Sequence, residues 1–229
     1  MDQFKSEEIT VETEGGRFTG FLARPDSSAP KVLVYHAWWG LTPFFKDLSR
    51  RLANAGFAVF APDLYDAKTA GTIQEAETML EHRDLERHNF IAVSAIQWML
   101  EQPSSYPGLG LIGFSMGGSW SLALSSRFPE AIKAVVLFYG SGEADYSKIL
   151  ARFQWHFGGQ DEWTPQSDIE YMEAGMRPNG VRYEFFTYPE AQHWFLETNR
   201  PEYRAQDAQL AWERTVKFLS EELKGESSK

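Results

Sequence analysis

The sequence predicts an α/β protein with a mostly parallel central sheet and helices on both faces. Three observations carry this reading. Short apolar runs alternate with stretches of helical length. The runs at 31–35, 57–61, 109–112 and 132–139 are apolar almost throughout, as strands covered on both faces must be. No insertion between these elements is long enough for a large cap domain.

Taken in order, residues 9–13 and 17–23 flank Glu14-Gly15-Gly16 and read as a hairpin closed by a glycine turn. A loop from Pro25 to Pro30 leads into the buried strand Lys31–Tyr35. Thr42-Pro43 opens a helix near 43–55, since proline is suited to a first helical turn. The strand 57–61 ends at Pro62-Asp63-Leu64-Tyr65. The charged stretch 66–88 reads as a loop and one helix, with His82 and His88 on its surface, and 91–100 as a buried helix. Further strands are read at 109–112, 132–139, 152–157 and 181–188. A last helix runs from about 201 to 223, with Ala208, Trp212, Val216, Leu219 and Leu223 spaced along one face. Residues 1–224 are expected to form a single domain, and 225–229 a disordered tail.

Composition narrows the function. The chain has 229 residues and a net charge of −10, which disfavours nucleic acid and anionic membranes as partners. It has no cysteine, so disulfides, thiolate metal sites and a cysteine nucleophile are excluded. No histidine pair has ligand spacing within a helix, so neither a metal nor a cofactor is expected. No apolar run approaches the ~20 residues of a membrane helix, and the acidic start has no apolar core, so a cytoplasmic protein is expected.

The chemistry is concentrated at Gly113-Phe114-Ser115-Met116-Gly117, between an apolar run and a helical stretch. This is the G-x-S-x-G turn in its strand–turn–helix context, which presents a serine Oγ at the carboxyl edge of a sheet. The nucleophile is Ser115 on this reading. Such a serine needs a base, and the base needs an orienting acid. Asp161 follows Gly158-Gly159-Gln160 just past a strand, and is the acid of choice, with Glu162 and Asp145 as alternatives. An aspartate after a glycine pair can equally be a turn or cap residue. Among five histidines, only His193 lies after the acid and before the last helix, so it is the expected base. His156, inside a strand, is expected to be packed or hydrogen-bonded. The developing oxyanion needs two donors. Met116 supplies one amide, and Ala37 or Trp38, in the loop after strand 31–35, the other. Of these two, Trp38 is preferred. His36, Trp38, Trp39, Trp194 and Phe195 are candidate pocket residues.

The segments 32–40, 56–65, 113–118, 158–161 and 193–195 together resemble the dienelactone hydrolase family of the α/β-hydrolase fold, over about residues 17–220. The resemblance implies hydrolysis of a small carboxylic ester or lactone through a covalent intermediate. Two departures stand out. Best-known members carry cysteine where this chain has Ser115, held by a glutamate where it has Ala37. Together they imply a Ser-His-Asp triad and an acyl-enzyme. Those members also grip a substrate carboxylate with arginine four residues after the histidine, where this chain has Glu197. Glu197 is therefore a pocket candidate that disfavours an anionic substrate, with Arg83, Arg87 and Arg200 left open as substitutes. The alternatives are a thioesterase or peptidase-like acyl hydrolase, and a non-catalytic relative that binds a small ligand. The oligomeric state is not read from the sequence.

Overall fold

The computed structural model describes residues 4–25 and 28–224. The expected tail at 225–229 lies outside them. The chain divides into two compact units, 1–109 and 110–229.

In the first unit, β1 (Lys5–Thr13) and β2 (Gly16–Arg24) form the expected hairpin, with Thr13 opposite Gly16 across a two-residue turn. Next come β3 (Lys31–Tyr35), α1 (Pro43–Asn54) and β4 (Ala58–Pro62). The strand order is β1-β2-β4-β3. Strand β4 pairs antiparallel with β2 and parallel with β3. Both β3 and β4 are buried along their length, as their unbroken apolar runs require. Helix α1 packs on β2 and β4 through Phe45, Leu48 and Leu52.

The charged stretch departs from the sequence reading. It forms two helices, α2 (Ile73–Glu81) and the start of α3 (Leu85–Glu101). Thr72 and Glu75 close a capping box at the head of α2. The Asp84 side chain accepts from the Arg87 amide and caps α3. Two cap signals inside one polar stretch thus divide it. His88 is consequently not a surface residue. It faces inward from α3, with its ring 4.8 Å from that of Tyr65, and burial pushes it down to about 4.

The second unit holds β5 (Leu109–Phe114), α4 (Met116–Arg127), β6 (Ile132–Phe138), β7 (Arg152–Gly158), α5 (Gln166–Met176), β8 (Tyr183–Tyr188) and α6 (Ala205–Lys224). The strand order is β5-β6-β7-β8. The β6–β7 and β7–β8 pairs are parallel, so their carboxyl ends share one edge. Phe114, Phe138 and His156 stack in sequence across β5, β6 and β7, with centroids 4.8 Å apart at each step. His156 is hydrogen-bonded as expected: Nδ1 meets Tyr188 Oη at 2.8 Å and Nε2 meets Gln154 Oε1 at 2.9 Å. Burial pushes it down to about 3.

Helix α6 buries Ala208, Leu219 and Leu223 of its predicted face but is turned away from Trp212 and Val216. Ala208, Ala211, Thr215, Phe218, Leu219 and Leu223 are buried, while Trp212 and Val216 are half-buried. The large side chains at 212 and 216 suggested one apolar stripe, but packing on β6 and β7 selects smaller residues at 211 and 215. Among the described residues, no helix is long and apolar enough to cross a membrane.

Candidate active site

The second unit builds its site from three loops at the carboxyl ends of β5, β7 and β8. The first loop is the sharp turn into α4. Ser115 adopts φ 50° and ψ −113°, a conformation that non-glycine residues avoid. Its amide donates to Phe138 O on β6 at 2.9 Å, and its carbonyl accepts from the Gly118 amide at 2.8 Å. The turn closes only because position 113 is glycine. A Cβ there would lie 2.3 Å from Gly117 O and 2.5 Å from Ser121 Oγ. Met116 is the first residue of α4, so its amide sits at the positive end of the helix dipole.

The second loop follows β7. A Cβ at Gly158 would lie 2.3 Å from Ala191 O, so glycine lets this loop close against the one after β8. The Gly159 amide bonds Tyr188 O at 2.7 Å and the Gln160 amide bonds Ala191 O at 2.9 Å. Backbone pairing between the two loops thereby brings Asp161 and His193 together. Asp161 Oδ1 accepts from the amides of Trp163 and Thr164 at 2.8 and 2.9 Å. It acts as a turn residue and as a partner of His193 at once.

The third loop carries His193. Nδ1 lies 2.8 and 2.9 Å from the two Asp161 oxygens, and Nε2 lies 3.0 Å from Ser115 Oγ. With the Nδ1 proton donated to the carboxylate, Nε2 is left as an acceptor for the serine hydroxyl. The side chains of His193 and Asp161 are 4% and 1% exposed, so both groups work with little competition from water. This arrangement can take a proton from Ser115 Oγ and hold the resulting imidazolium against a carboxylate.

The alternative acids lie elsewhere. Asp145 is exposed after β6, and its hydrogen bond with Lys148 and the Ser147 hydroxyl lower its pKa. Glu162 is exposed.

Trp194 (φ 62°) places its ring 4.9 Å from that of His193, and Phe195 lies 4.8 Å from Tyr188. Both are buried. The Arg200 guanidinium lies over the Trp194 ring at 5.4 Å. In the first unit, His36 is fully buried. Its Nδ1 meets Ala37 O at 2.7 Å and its Nε2 accepts from the Leu64 amide at 3.1 Å. Trp38 and Trp39 are buried edge to face at 5.3 Å. Arg87 is held by Asp66 at 2.6 and 3.0 Å, while Arg83 is exposed.

Glu197 is fully buried, and its Oε1 accepts from Tyr139 Oη at 2.8 Å. Burial pushes its carboxyl up to about 8. A protonated carboxyl does not repel an anion, so this upward shift weakens the repulsion read from the sequence. Tyr139 and Trp163 are the neighbours that the sequence reading missed. Tyr139 follows β6 with φ 40°, and its ring lies 4.8 Å from that of His193. Trp163 lies 6.4 Å from His193 and 5.4 Å from Trp194. The only local signal for either was an aromatic residue just past a strand.

The chain is similar to known proteins over nearly its whole length. The chain is 30% identical over 227 residues to protein usf of Aquifex pyrophilus, covering 94% of this chain and 98% of that one. It is 26% identical over 230 residues to the carboxymethylenebutenolidase of Pseudomonas putida, covering 94% and 96%. A solved structure from Klebsiella pneumoniae, provisionally named a dienelactone hydrolase, matches with a TM-score of 0.83 at 23% identity, covering 95% of this chain and 98% of that one. The fold is the α/β-hydrolase fold. The family model for dienelactone hydrolases matches residues 18–223, and the chain belongs to the dienelactone hydrolase family.

Proposed function

We propose that this family member, a hydrolase of ester or lactone bonds, works through an acyl-enzyme on Ser115. His193 Nε2 takes the Oγ proton as Oγ attacks the substrate carbonyl. The tetrahedral oxyanion accepts from the Met116 amide at the head of α4. Collapse of the intermediate expels the alcohol, which takes its proton from His193. In a lactone that alcohol stays tethered to the acyl group. Water, activated by His193, then releases the acid. Asp161 holds the imidazole tautomer throughout and stabilises its charged form.

The observation that supports this reading best is the continuous hydrogen-bonded row from Asp161 through His193 to Ser115, with Ser115 held in the strained turn. A site that only binds a ligand has no use for a serine in a costly backbone conformation aimed at a buried histidine–carboxylate pair. The carboxymethylenebutenolidase name of the Pseudomonas putida relative supports a small lactone or ester as substrate. The single-domain reading of 1–224 rests on the one family model that runs over residues 18–223.

The test is covalent labelling with a fluorophosphonate, together with turnover of short aryl esters and simple lactones. Wild-type protein should be labelled, and Ser115→Ala should abolish labelling and lower kcat by about 10⁴-fold or more. Full labelling of the alanine variant would place the nucleophile elsewhere.

A further inference from the structure

The triad histidine has a neighbour that the mechanism above does not use. The Tyr139 ring packs at 4.8 Å from the His193 ring, tilted by 53°. Its backbone is clamped from two directions. The amide donates to His156 O on β7 at 2.8 Å, and the carbonyl accepts from Thr164 Oγ1 at 3.0 Å. The amide of that same threonine holds Asp161 Oδ1. The Tyr139 hydroxyl is anchored in turn by Glu197, four residues beyond His193.

Two features of this pair are costly. Tyr139 sits at φ 40°, in a region that strains a bulky residue. Glu197 is a fully buried carboxyl whose Oε2 has no hydrogen-bond partner among the described residues. Burial of such a group is unfavourable, and phenylalanine with leucine would fill similar space without it. Strain and an incompletely satisfied buried acid therefore meet on one pair, directly against the imidazole of the triad.

We infer that Tyr139 and Glu197 are positioning residues that hold the His193 ring in its working orientation. Asp161 fixes one edge of the imidazole through Nδ1. That bond alone permits the ring to rock about the Nδ1–carboxylate axis, which moves Nε2 away from Ser115 Oγ. The Tyr139 ring blocks this motion from one face, and its hydroxyl bond to Glu197 keeps the tyrosine from swinging out. The inference rests on the triad reading of Ser115, Asp161 and His193, and it adds that the 2.8 Å Tyr139–Glu197 bond controls the rate without touching substrate.

The test uses Tyr139→Phe, Glu197→Leu and Glu197→Gln in the full chain. Three quantities are read: the fluorophosphonate labelling rate of Ser115, kcat and KM on a short aryl ester, and the thermal midpoint. Tyr139→Phe and Glu197→Leu should each slow labelling and lower kcat by about tenfold with KM changed less than about twofold, because they loosen the base and leave binding alone. Glu197→Gln keeps an acceptor for the tyrosine hydroxyl and should stay within about threefold of wild type. The double variant Tyr139→Phe/Glu197→Leu should be no slower than either single variant, since both cut one tie. If both cutting variants label at the wild-type rate, with only the thermal midpoint lowered, the pair is structural and the inference is wrong. A Glu197→Gln variant as slow as Glu197→Leu would also overturn it. Wild-type protein that no probe labels would remove the triad reading, and this inference with it.

Discussion

Two buried carboxyl groups lie on loops of the same unit, and they are held in opposite ways. Asp161 accepts from two backbone amides and the His193 ring. Glu197 accepts from one tyrosine hydroxyl, and its second oxygen has no hydrogen-bond partner among the described residues. The difference follows from where each stands. Asp161 occupies a tight turn just past β7, and such a turn directs successive amides at the side chain of its first residue. Glu197 lies in the segment between His193 and α6, and meets only what packs against it. Amides and an imidazole N–H fill the oxygens of Asp161, whereas burial of Glu197 favours its protonated acid. One unit thus provides a carboxylate suited to stabilising charge on the base and a carboxyl that is largely neutral at pH 7.

Removing the acceptor capacity of Asp161 should have the largest effect. Asp161→Asn keeps the turn but offers an amide where His193 needs a second carboxylate oxygen, favouring the wrong tautomer. Its kcat should fall by about 10³–10⁴-fold with the fold intact, as judged by circular dichroism. A loss below about tenfold would remove Asp161 from the triad.

Stability should depend on pH through Glu197. Glu197 is raised to about 8 in the folded state from an ordinary value of 4.5. A raised acid favours the folded state most below its unfolded pKa, and that contribution is lost as pH rises toward 8. Relative to Glu197→Gln, wild-type protein should therefore lose on the order of several kcal/mol between pH 5 and pH 8.5. His156, pushed down to about 3, acts with the opposite sign, losing stability as pH falls below about 6.5. It is present in both proteins, so the difference isolates Glu197. Denaturation midpoints at the two pH values give the measurement, and parallel curves would refute the burial argument.

A smaller effect follows for substrates. The preference for a neutral lactone over its carboxylated counterpart should be modest at pH 6.5 and widen by a few-fold at pH 9, where Glu197 ionises. Competition kinetics at low ionic strength would show it, and Glu197→Gln should abolish the change. The smallest effect belongs to Asp145. It is exposed and tied to Lys148, so Asp145→Asn should leave kcat within about twofold of wild type. A larger loss would reopen the choice of acid.

Much of this molecule is legible in one dimension because its signals are short-range. The strained turn at Ser115 needs glycine two residues before it, the two acceptor-rich loops follow recognisable strands, and the order serine, acid, histidine is an order along the chain. Where local reading failed, the deciding interaction was either a competing local signal or a distant one. The Asp84 cap divided a stretch that looked like one charged helix, and packing on β6 and β7 turned α6 away from Trp212 and Val216. The Tyr139–Glu197 bond spans 58 residues, and no periodicity or spacing encodes it. The sequence by itself determined which side chains are chemically able to act, because that depends on residue type and on turns a few residues long. Only the tertiary structure decided which acid meets His193 and what charge Glu197 carries. Both depend on burial and on donors that separate loops bring together.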